Sequence, residues 1–215
     1  MTSPKYSRRQ FTKLAASGSL FSILPRHILG GKGHTSPSSK TTLAIIGCGG
    51  QGHINLQHFL PMEDVQVVAV CDVERETGGY LSTVWDKGDI QKRCGREPAR
   101  KLVEAHYAKD RGVSSFKGCK AYVDYRDLLD KEDVDAVLVA TPDHTHAVIC
   151  MAALKKKRHL FCEKPLAYSL HEARALVEAA RKAGVATQLG NHGQADERSR
   201  ITQEYIMDGA IGHVR

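Results

Sequence analysis

Three glycines, Gly47, Gly49 and Gly52, come directly after a short apolar run that ends at Ile46. A second apolar run ends in Asp72, twenty residues after the last of these glycines. The first glycine permits a tight turn from strand to helix, the second admits a pyrophosphate to the backbone, and the third lets the helix pack closely on the strand. The N–H groups at the start of the helix then face the phosphates, and Asp72 can accept hydrogen bonds from the adenosine ribose. We therefore predict a dinucleotide-binding turn, in preference to a structural turn with a solvated aspartate.

A second group of polar residues follows two later apolar runs, at residues 141–146 and 163–165. Both groups stand where parallel strands end, which is where open α/β sheets bind ligands. Lys164 can hydrogen-bond a substrate hydroxyl there, or help to move its proton if burial lowers its pKa. His144 and His146 are two positions apart, which is a poor spacing for a helical metal pair. We interpret them as a polar helix start or as contacts to a cofactor, and we predict no metal.

The elements that must position these residues alternate between strand and helix patterns from Thr41 onward. This alternation predicts βαβ units, and hence a Rossmann-like, doubly wound α/β fold with a parallel sheet. The predicted strands are near-continuous apolar runs, which is typical of strands buried on both faces. They cover residues 43–46, 65–71, 134–140, 159–162 and 185–189.

Helical patterns begin at His53, Pro98, Thr145 and Leu170. The last helix is the best marked, because Ser169 and Glu172 have the spacing of a capping box and Gly184 follows as a stop. Residues 77–96 form a polar insertion that contains glycine, and the pattern assigns them no conformation.

Composition excludes several other classes of protein. Of 215 residues, 41% are apolar and 26% are charged, which suits a globular protein, and the net charge is +7. The basic residues do not form one stripe with aromatic residues between them, so we predict no nucleic-acid partner. The cluster at residues 155–158 is interpreted as a solvated helix end. No apolar stretch is long enough for a membrane span.

The six cysteines form no CxxC pair and no spacing of a Cys/His metal site. Four of them lie in or beside apolar runs, where cysteine behaves as a small hydrophobic residue. Cys94 and Cys119 lie in a more polar stretch, and we expect them to be exposed.

The N-terminus has the order of a targeting segment. Residues 7–13 carry the adjacent arginines Arg8 and Arg9, a weakly apolar stretch follows to residue 24, and a Gly/Ser/Pro-rich stretch continues to Lys40. This order predicts a secretory signal that resembles the twin-arginine motif, in preference to a disordered basic tail. We therefore predict a periplasmic or other extracytoplasmic location through the twin-arginine export machinery. That route carries folded proteins and suits one that loads a dinucleotide in the cytoplasm.

Three motifs together resemble the Gfo/Idh/MocA oxidoreductases: Thr-Pro-Asp-His-Thr-His at 141–146, Cys-Glu-Lys-Pro-Leu-Ala at 162–167 and Gly-Asn-His-Gly at 190–193. The resemblance covers about residues 40 to 215. It implies an N-terminal Rossmann domain joined to a C-terminal α/β domain, whose open sheet forms the substrate wall and often the subunit interface. It also implies hydride transfer between NAD(P) and a sugar or polyol, in a protein that is a homo-oligomer at full length.

The resemblance further implies roles for particular residues. Lys164 would touch both the nicotinamide ribose and the substrate, as the catalytic residue. The adenosine and pyrophosphate would be held by Gly47, Gly49, Gly50, Gln51, Gly52 and Asp72, and the path to the nicotinamide would be lined by Thr141, Pro142, His144, His146, Glu163 and Asn191. We predict NAD over NADP because Asp72 would repel a 2′-phosphate. Arg75, which can turn toward a phosphate, keeps NADP as the alternative.

The predicted organisation has three parts: a twin-arginine-type signal and linker over residues 1–40, a dinucleotide-binding domain over 41–192, and the start of a C-terminal domain over 193–215. Residues 208–215 resemble the family's entry into its second domain, so we expect a chain truncated before that domain. Two other functions remain open from the sequence. One is a glycosidase that uses NAD in a redox-assisted elimination, and the other is a non-catalytic nucleotide-binding fragment.

Overall fold

The computed structural model describes residues 36–78 and 93–213. The predicted export motif at residues 7–24 and residues 79–92 of the polar insertion lie outside the described residues. The two described ends of the insertion meet, since the backbones of Thr77 and Cys94 exchange two hydrogen bonds of 3.0 Å. The sheet and the helices around it belong to the compact unit that begins at Lys40.

A six-stranded sheet forms the centre of this unit, and every strand pairing in it is parallel. Its strands are β1 (Thr41–Ile46), β2 (Val65–Cys71), β3 (Lys120–Tyr122), β4 (Ala136–Val139), β5 (His159–Glu163) and β6 (Thr187–Gly190). Their spatial order is β3-β2-β1-β4-β5-β6, so the chain runs outward from β1 in one direction and then from β4 in the other. The predicted doubly wound Rossmann-like fold is confirmed, and a ligand crevice is expected between β1 and β4.

Six helices connect and follow the strands: α1 (Gly50–Phe59), α2 (Arg96–Asp110), α3 (Tyr125–Lys131), α4 (Asp143–Lys155), α5 (Leu170–Ala183) and α6 (Glu197–Met207). Short 3-10 turns occur at Pro37–Ser39 and His192–Ala195. Three helices begin two or three residues before the predicted start, because their first turns are polar and lack apolar residues at helical spacing. Pro98 is the third residue of α2, where its missing N–H has no intrahelical partner to lose.

The core lies on both faces of the sheet. Along β1, Ala44 and Ile46 pack with α3, α4 and α5 on one face, while Leu43 and Ile45 pack with α1 and α2 on the other. Each of these four residues is at most 4% exposed. The alternation of strand side chains therefore buries both faces of the central strand, which explains its unbroken apolar sequence.

Two predictions about burial are wrong. The strand predicted at 185–189 was expected to be buried on both faces, but β6 is an edge strand and its first three residues are exposed. Cys94 and Cys119 were expected to be exposed, but they are only 2% and 6% exposed. Cys119 joins the apolar cluster beneath α2, and Cys94 lies where the ends of the insertion meet. Long-range packing buries them in spite of their polar neighbours in sequence.

Three elements were missed, β3, α3 and α6. β3 has only three residues, one of them lysine, so it leaves no apolar run. α3 is also short, but Asp124 caps it by accepting a hydrogen bond from Arg126 N. That cap is a recognisable start signal, and it was the one available indication of this helix. Beyond the sheet, α6 has no buried residue. None of the described helices is long and apolar enough to cross a membrane.

Candidate functional site

The turn between β1 and α1 requires glycine at two positions. Gly47 has a φ of +92°, and a Cβ there would lie 2.5 Å from the carbonyl of Ala140. A Cβ at Gly52 would lie 1.9 Å from the carbonyl oxygen of Gly47. Backbone atoms therefore exclude a side chain at both positions. At Gly47 the turn lies against the end of β4, and at Gly52 the first turn of α1 lies against Gly47.

The start of α1 offers unpaired backbone donors. The helix begins at Gly50, Gly49 is its N-cap with no side chain to cap it, and its first turn has no acidic residue. The first N–H groups of a helix have no intrahelical partner, and the helix dipole places partial positive charge beside them. This end of α1 therefore suits an anion such as a pyrophosphate.

Asp72 directly follows β2 and lies beside the turn. Its Oδ2 accepts a hydrogen bond of 2.6 Å from Cys48 N, and its Oδ1 accepts one of 2.8 Å from Glu74 N. These bonds fix the carboxylate next to the glycine-rich turn, where the sequence predicted it. Each oxygen has a further lone pair for an added donor such as a ribose hydroxyl.

The thiols nearest to Asp72 do not offer a nucleophile. Cys71 and Cys48 are both buried. Burial, followed by the charge of Asp72, raises the pKa of Cys71 to about 12. The same two causes raise the pKa of Cys48. Both therefore remain protonated at neutral pH, and the thiolate is the reactive form.

A cleft of about 770 Å³ opens at the carboxyl ends of β1, β2 and β4. Eight predicted site residues line it: Gly47, Gly49, Gly50, Gln51, Asp72, Thr141, Pro142 and His144. Lining residues that the sequence did not reveal include Val73, Glu74, Val123, Tyr125, Arg126, Val148 and Ile149. Apolar walls with a few convergent polar groups are typical of a small-molecule or cofactor site.

One end of this cleft contains apolar side chains, an aromatic ring and charged groups. Val73 and Val123 are exposed there, and the guanidinium of Arg126 lies 4.6 Å from the centre of the Tyr125 ring. Glu74 also lines this end, whereas Arg75, the predicted source of NADP affinity, does not. Arg126, the one arginine or lysine among the described lining residues of the cleft, is thus contributed by α3, an element that the sequence pattern missed.

Glu163, at the end of β5, is buried and receives several hydrogen bonds. Its Oε1 accepts from Asn55 Nδ2 at 2.8 Å and from Gln51 Nε2 at 3.4 Å, and it lies 2.9 Å from His192 Nε2. A Cβ at Gly190 would lie 2.8 Å from the same carboxyl group. The network joins α1, β5 and the turn after β6, so it fixes Gln51 at the lining of the cleft. Asn55 and His192 were not predicted site residues.

His144 and His146 have different environments. His144 is exposed at the cleft, as expected of a polar helix start. His146 is 1% exposed, and its two ring nitrogens contact the backbone carbonyls of Thr141 and Pro165. The described residues contain no group of three or more His, Cys, Asp and Glu side chains that could hold a metal ion.

Lys164 and Asn191 are exposed at the same edge of the sheet, but neither lines the cleft. The backbone N of Lys164 donates to Glu163 Oε2 at 3.2 Å, so Lys164 is tied to the buried network at its main chain. Proton transfer by Lys164 was predicted on the condition that this lysine is buried, and the described residues leave it exposed.

Comparison with known proteins agrees with this geometry. Residues 86–191 match a family model described as "Oxidoreductase family, NAD-binding Rossmann fold" (GFO_IDH_MocA). This part of the chain therefore matches the NAD-binding Rossmann domain of the Gfo/Idh/MocA oxidoreductases. It is 29% identical over 170 residues to the myo-inositol 2-dehydrogenase of Thermotoga maritima, which covers 79% of this chain and 42% of the relative. A contiguous match of that length must include the glycine-rich turn, although the family-model match begins after it.

Solved structures show the same fold. A probable dehydrogenase from Thermotoga maritima is 27% identical and has a TM-score of 0.52, over 80% of this chain and 42% of that one. A scyllo-inositol dehydrogenase from Lactobacillus casei, solved with NAD(H) and scyllo-inositol, is 19% identical and has a TM-score of 0.57 over the same shares, 80% and 42%. The chain described here thus spans less than half the length of these relatives.

Proposed function

We propose that this chain is the cofactor-binding part of an exported oxidoreductase that transfers hydride between NAD and a sugar or polyol. The observation that carries the proposal is the cleft at the switch point of the sheet, where the glycine-rich turn, the uncapped start of α1 and the carboxylate of Asp72 meet. The relatives named as inositol dehydrogenases support a polyol as substrate.

The residues present fit an NAD molecule. The missing side chains at Gly47 and Gly52 let the turn and helix come close together, and the first N–H groups of α1 suit a pyrophosphate. Asp72 has lone pairs for ribose hydroxyls, and its charge, reinforced by Glu74, disfavours a 2′-phosphate. The apolar Val73 and Val123 at the same end suit an adenine ring.

The remaining roles belong to the loops after β4 and β5. Thr141 and Pro142 form a wall of the cleft, and Thr145 stiffens that wall by donating from its hydroxyl to Pro142 O at 2.7 Å. Lys164 lies at the same sheet edge and is exposed, so its ammonium group is open to a substrate there. The nicotinamide supplies the hydride acceptor, and Lys164 would hydrogen-bond the substrate hydroxyl that is oxidised.

Titration of this chain with NAD tests the cofactor proposal. We expect a dissociation constant below about 1 mM, weaker binding of NADP, and competition by ADP-ribose. Gly50→Asp adds a carboxylate to the first turn of α1, which suits the helix dipole but repels the pyrophosphate, so NAD should bind about tenfold less tightly without loss of stability.

The matched control is His171→Asp, which adds an acid to the exposed first turn of α5 and should leave NAD binding unchanged. Absence of NAD binding by the unaltered chain would refute the cofactor assignment. Equal affinities of the two variants and the unaltered chain would place the cofactor elsewhere.

Hydride transfer is tested in a protein in which these residues are joined to a second domain, so that it matches its relatives over their full length. We expect NADH formation with one or more sugars or inositols. Lys164→Met should keep the fold and lose most of the turnover, while Lys182→Met, an exposed lysine in the last turn of α5, should keep both. Turnover that survives Lys164→Met would remove this lysine from the mechanism. Cleavage of a nitrophenyl glycoside without net NADH would instead indicate the glycosidase.

Export is proposed from the arginine pair and the apolar stretch near the N-terminus. All six cysteines are buried thiols, which fits a protein that is exported after folding. Fractionation of cells that produce the protein tests this: Arg8→Lys combined with Arg9→Lys should keep it in the cytoplasm. Unchanged export of that variant would refute the twin-arginine route. The oligomeric state implied by the family resemblance stays a prediction.

A further inference from the structure

His146 connects two loops that flank the cleft. It lies in the first turn of α4 and is 1% exposed. Its Nε2 is 2.7 Å from the carbonyl oxygen of Thr141, in the loop after β4, and its Nδ1 is 2.6 Å from the carbonyl oxygen of Pro165, in the loop after β5. The first loop lines the cleft, and the second contains Lys164.

The chemistry of these contacts determines the protonation state of the ring. Both partners are carbonyl oxygens, which only accept hydrogen bonds, so both ring nitrogens must donate. A neutral imidazole has one N–H and one lone pair, and one of the two buried contacts would then set a nitrogen lone pair against an oxygen. Only the imidazolium satisfies both contacts, and an unsatisfied polar contact in a buried position is costly.

Among the titratable groups around His146, the thiol of Cys162, from β5, favours that state directly. Cys150, from α4, and the carboxylate of Glu163 act on Cys162. Burial acts to lower the pKa of His146, but the hydrogen bonds with Cys162, Pro165 and Thr141 outweigh it and raise the pKa to about 9. Hydrogen bonds from Cys150 and His146 lower the pKa of Cys162 in spite of its burial.

We propose that His146 is a positioning residue, held as an imidazolium, which fastens the cleft-lining loop at Thr141 to the Lys164–Pro165 loop. Its protonation then controls how these two loops are held relative to each other. The consequence for NAD rests on the proposed function, whereas the bridge between the loops stands on the contacts alone. His146 does not line the cleft and acts on the cofactor only through these loops.

The first test needs no cofactor. In the nitrogen-15 NMR spectrum of the full 215-residue chain, both ring nitrogens of His146 should carry protons at pH 7 and one should lose its proton near pH 9. The backbone amides of Thr141 and Lys164 should shift with the same midpoint, because both loops respond. Cys162→Ser removes the strongest of the favourable contacts and should move the midpoint to lower pH.

A neutral His146 ring at pH 7 would overturn the proposal, and so would a midpoint that Cys162→Ser leaves unchanged. Loop amides that ignore the titration of the ring would also overturn it, since His146 would then be a structural residue without a positioning role. None of these readouts depends on NAD, so they separate failure of this inference from failure of the proposed function.

The second test measures NAD affinity against pH. For the unaltered chain, affinity should fall about tenfold as pH rises through about 9, since one hydrogen bond of the bridge is lost. His146→Gln cannot donate to both carbonyls, so it should bind NAD about tenfold less tightly at pH 7 and show no further fall at this midpoint. His171→Gln, at an exposed position in α5, should behave as the unaltered chain does.

An equal alkaline fall in His146→Gln and in the unaltered chain would overturn the positioning role. If His146→Gln fails to fold, Cys162→Ser provides the test, because the NAD affinity of this variant should fall at the lower pH midpoint that NMR measures for its His146 ring. A fall that stays near pH 9 in Cys162→Ser would assign the effect to another group.

Discussion

Gly47→Ala should reduce both the stability of the fold and the affinity for NAD. The new methyl group would lie 2.5 Å from the carbonyl carbon and oxygen of Ala140 and 2.7 Å from the nitrogen of Thr141. These are backbone atoms between β4 and the cleft-lining loop, so no flexible side chain can move aside. Relief of the overlap must displace either the glycine-rich turn or the loop at Thr141, and both form the cleft.

Two costs combine at this position. A side chain at a φ of +92° costs roughly 1–2 kcal/mol. The overlap with backbone adds roughly 1–3 kcal/mol, as overpacking does in cores. The free energy of unfolding should therefore fall by about 2–5 kcal/mol, a large share of the roughly 5–15 kcal/mol of a typical domain. Loss of one charge-assisted hydrogen bond to the pyrophosphate would weaken NAD binding by about tenfold or more.

Urea unfolding of the chain measures the first effect, and NAD titration below the transition measures the second. Gly184→Ala is the matched control, since Gly184 has a φ of +67° but a Cβ there would meet nothing within 4 Å. It should lose only about 1 kcal/mol and keep NAD affinity. Equal losses in the two variants would show that the close approach of Gly47 to Ala140 carries no energy, and would refute the reasoning.

Three further predictions follow from other contacts. Asp72→Asn should bind NAD about tenfold less tightly and discriminate less against NADP, because the amide keeps an acceptor but loses the charge; titration with both cofactors checks this. All six cysteines are buried, so a thiol reagent should label them only after denaturant is added. The difference in unfolding free energy between the unaltered chain and His146→Gln should stay nearly constant from pH 6.5 to about 9. On its own, a histidine whose pKa is raised in this way stabilises the fold below pH 6.5, and about 3 kcal/mol of this stabilisation is lost by pH 9. The lowered pKa of Cys162 makes the unfolding free energy rise with pH and offsets that loss. A fall by the whole of that amount would show that His146 and Cys162 do not share a proton.

The cofactor end of the fold was readable from the sequence because its requirements are local. The turn at Gly47 and Gly52 needs residues without Cβ atoms at fixed spacing, and Asp72 directly follows the strand that pairs with β1. The central strands are buried on both faces and therefore have unbroken apolar runs. Parallel order, strand identity and the placement of Asp72 beside the turn all follow from these patterns.

The parts that the sequence did not reveal depend on contacts between distant segments. β3 and α3 are too short for a periodic pattern, yet α3 supplies Tyr125 and Arg126 to the cleft. The exposure of β6 depends on its place at the edge of the sheet, which no local pattern records. Burial of Cys119 depends on α2, whose apolar residues cover it. In each case the deciding neighbour is remote in sequence.

The same distinction between local patterns and long-range contacts applies to Glu163 and Lys164, which are adjacent in one motif but differ in burial. Glu163 points into the protein, where Asn55 and Gln51 donate to it from a helix more than a hundred positions earlier. Lys164, the first residue after the strand, is exposed. A buried carboxylate that receives several hydrogen bonds organises this side of the cleft, because it fixes α1 against β5. An exposed lysine beside it is free to meet a ligand, so the motif joins an anchoring residue to a residue available for chemistry.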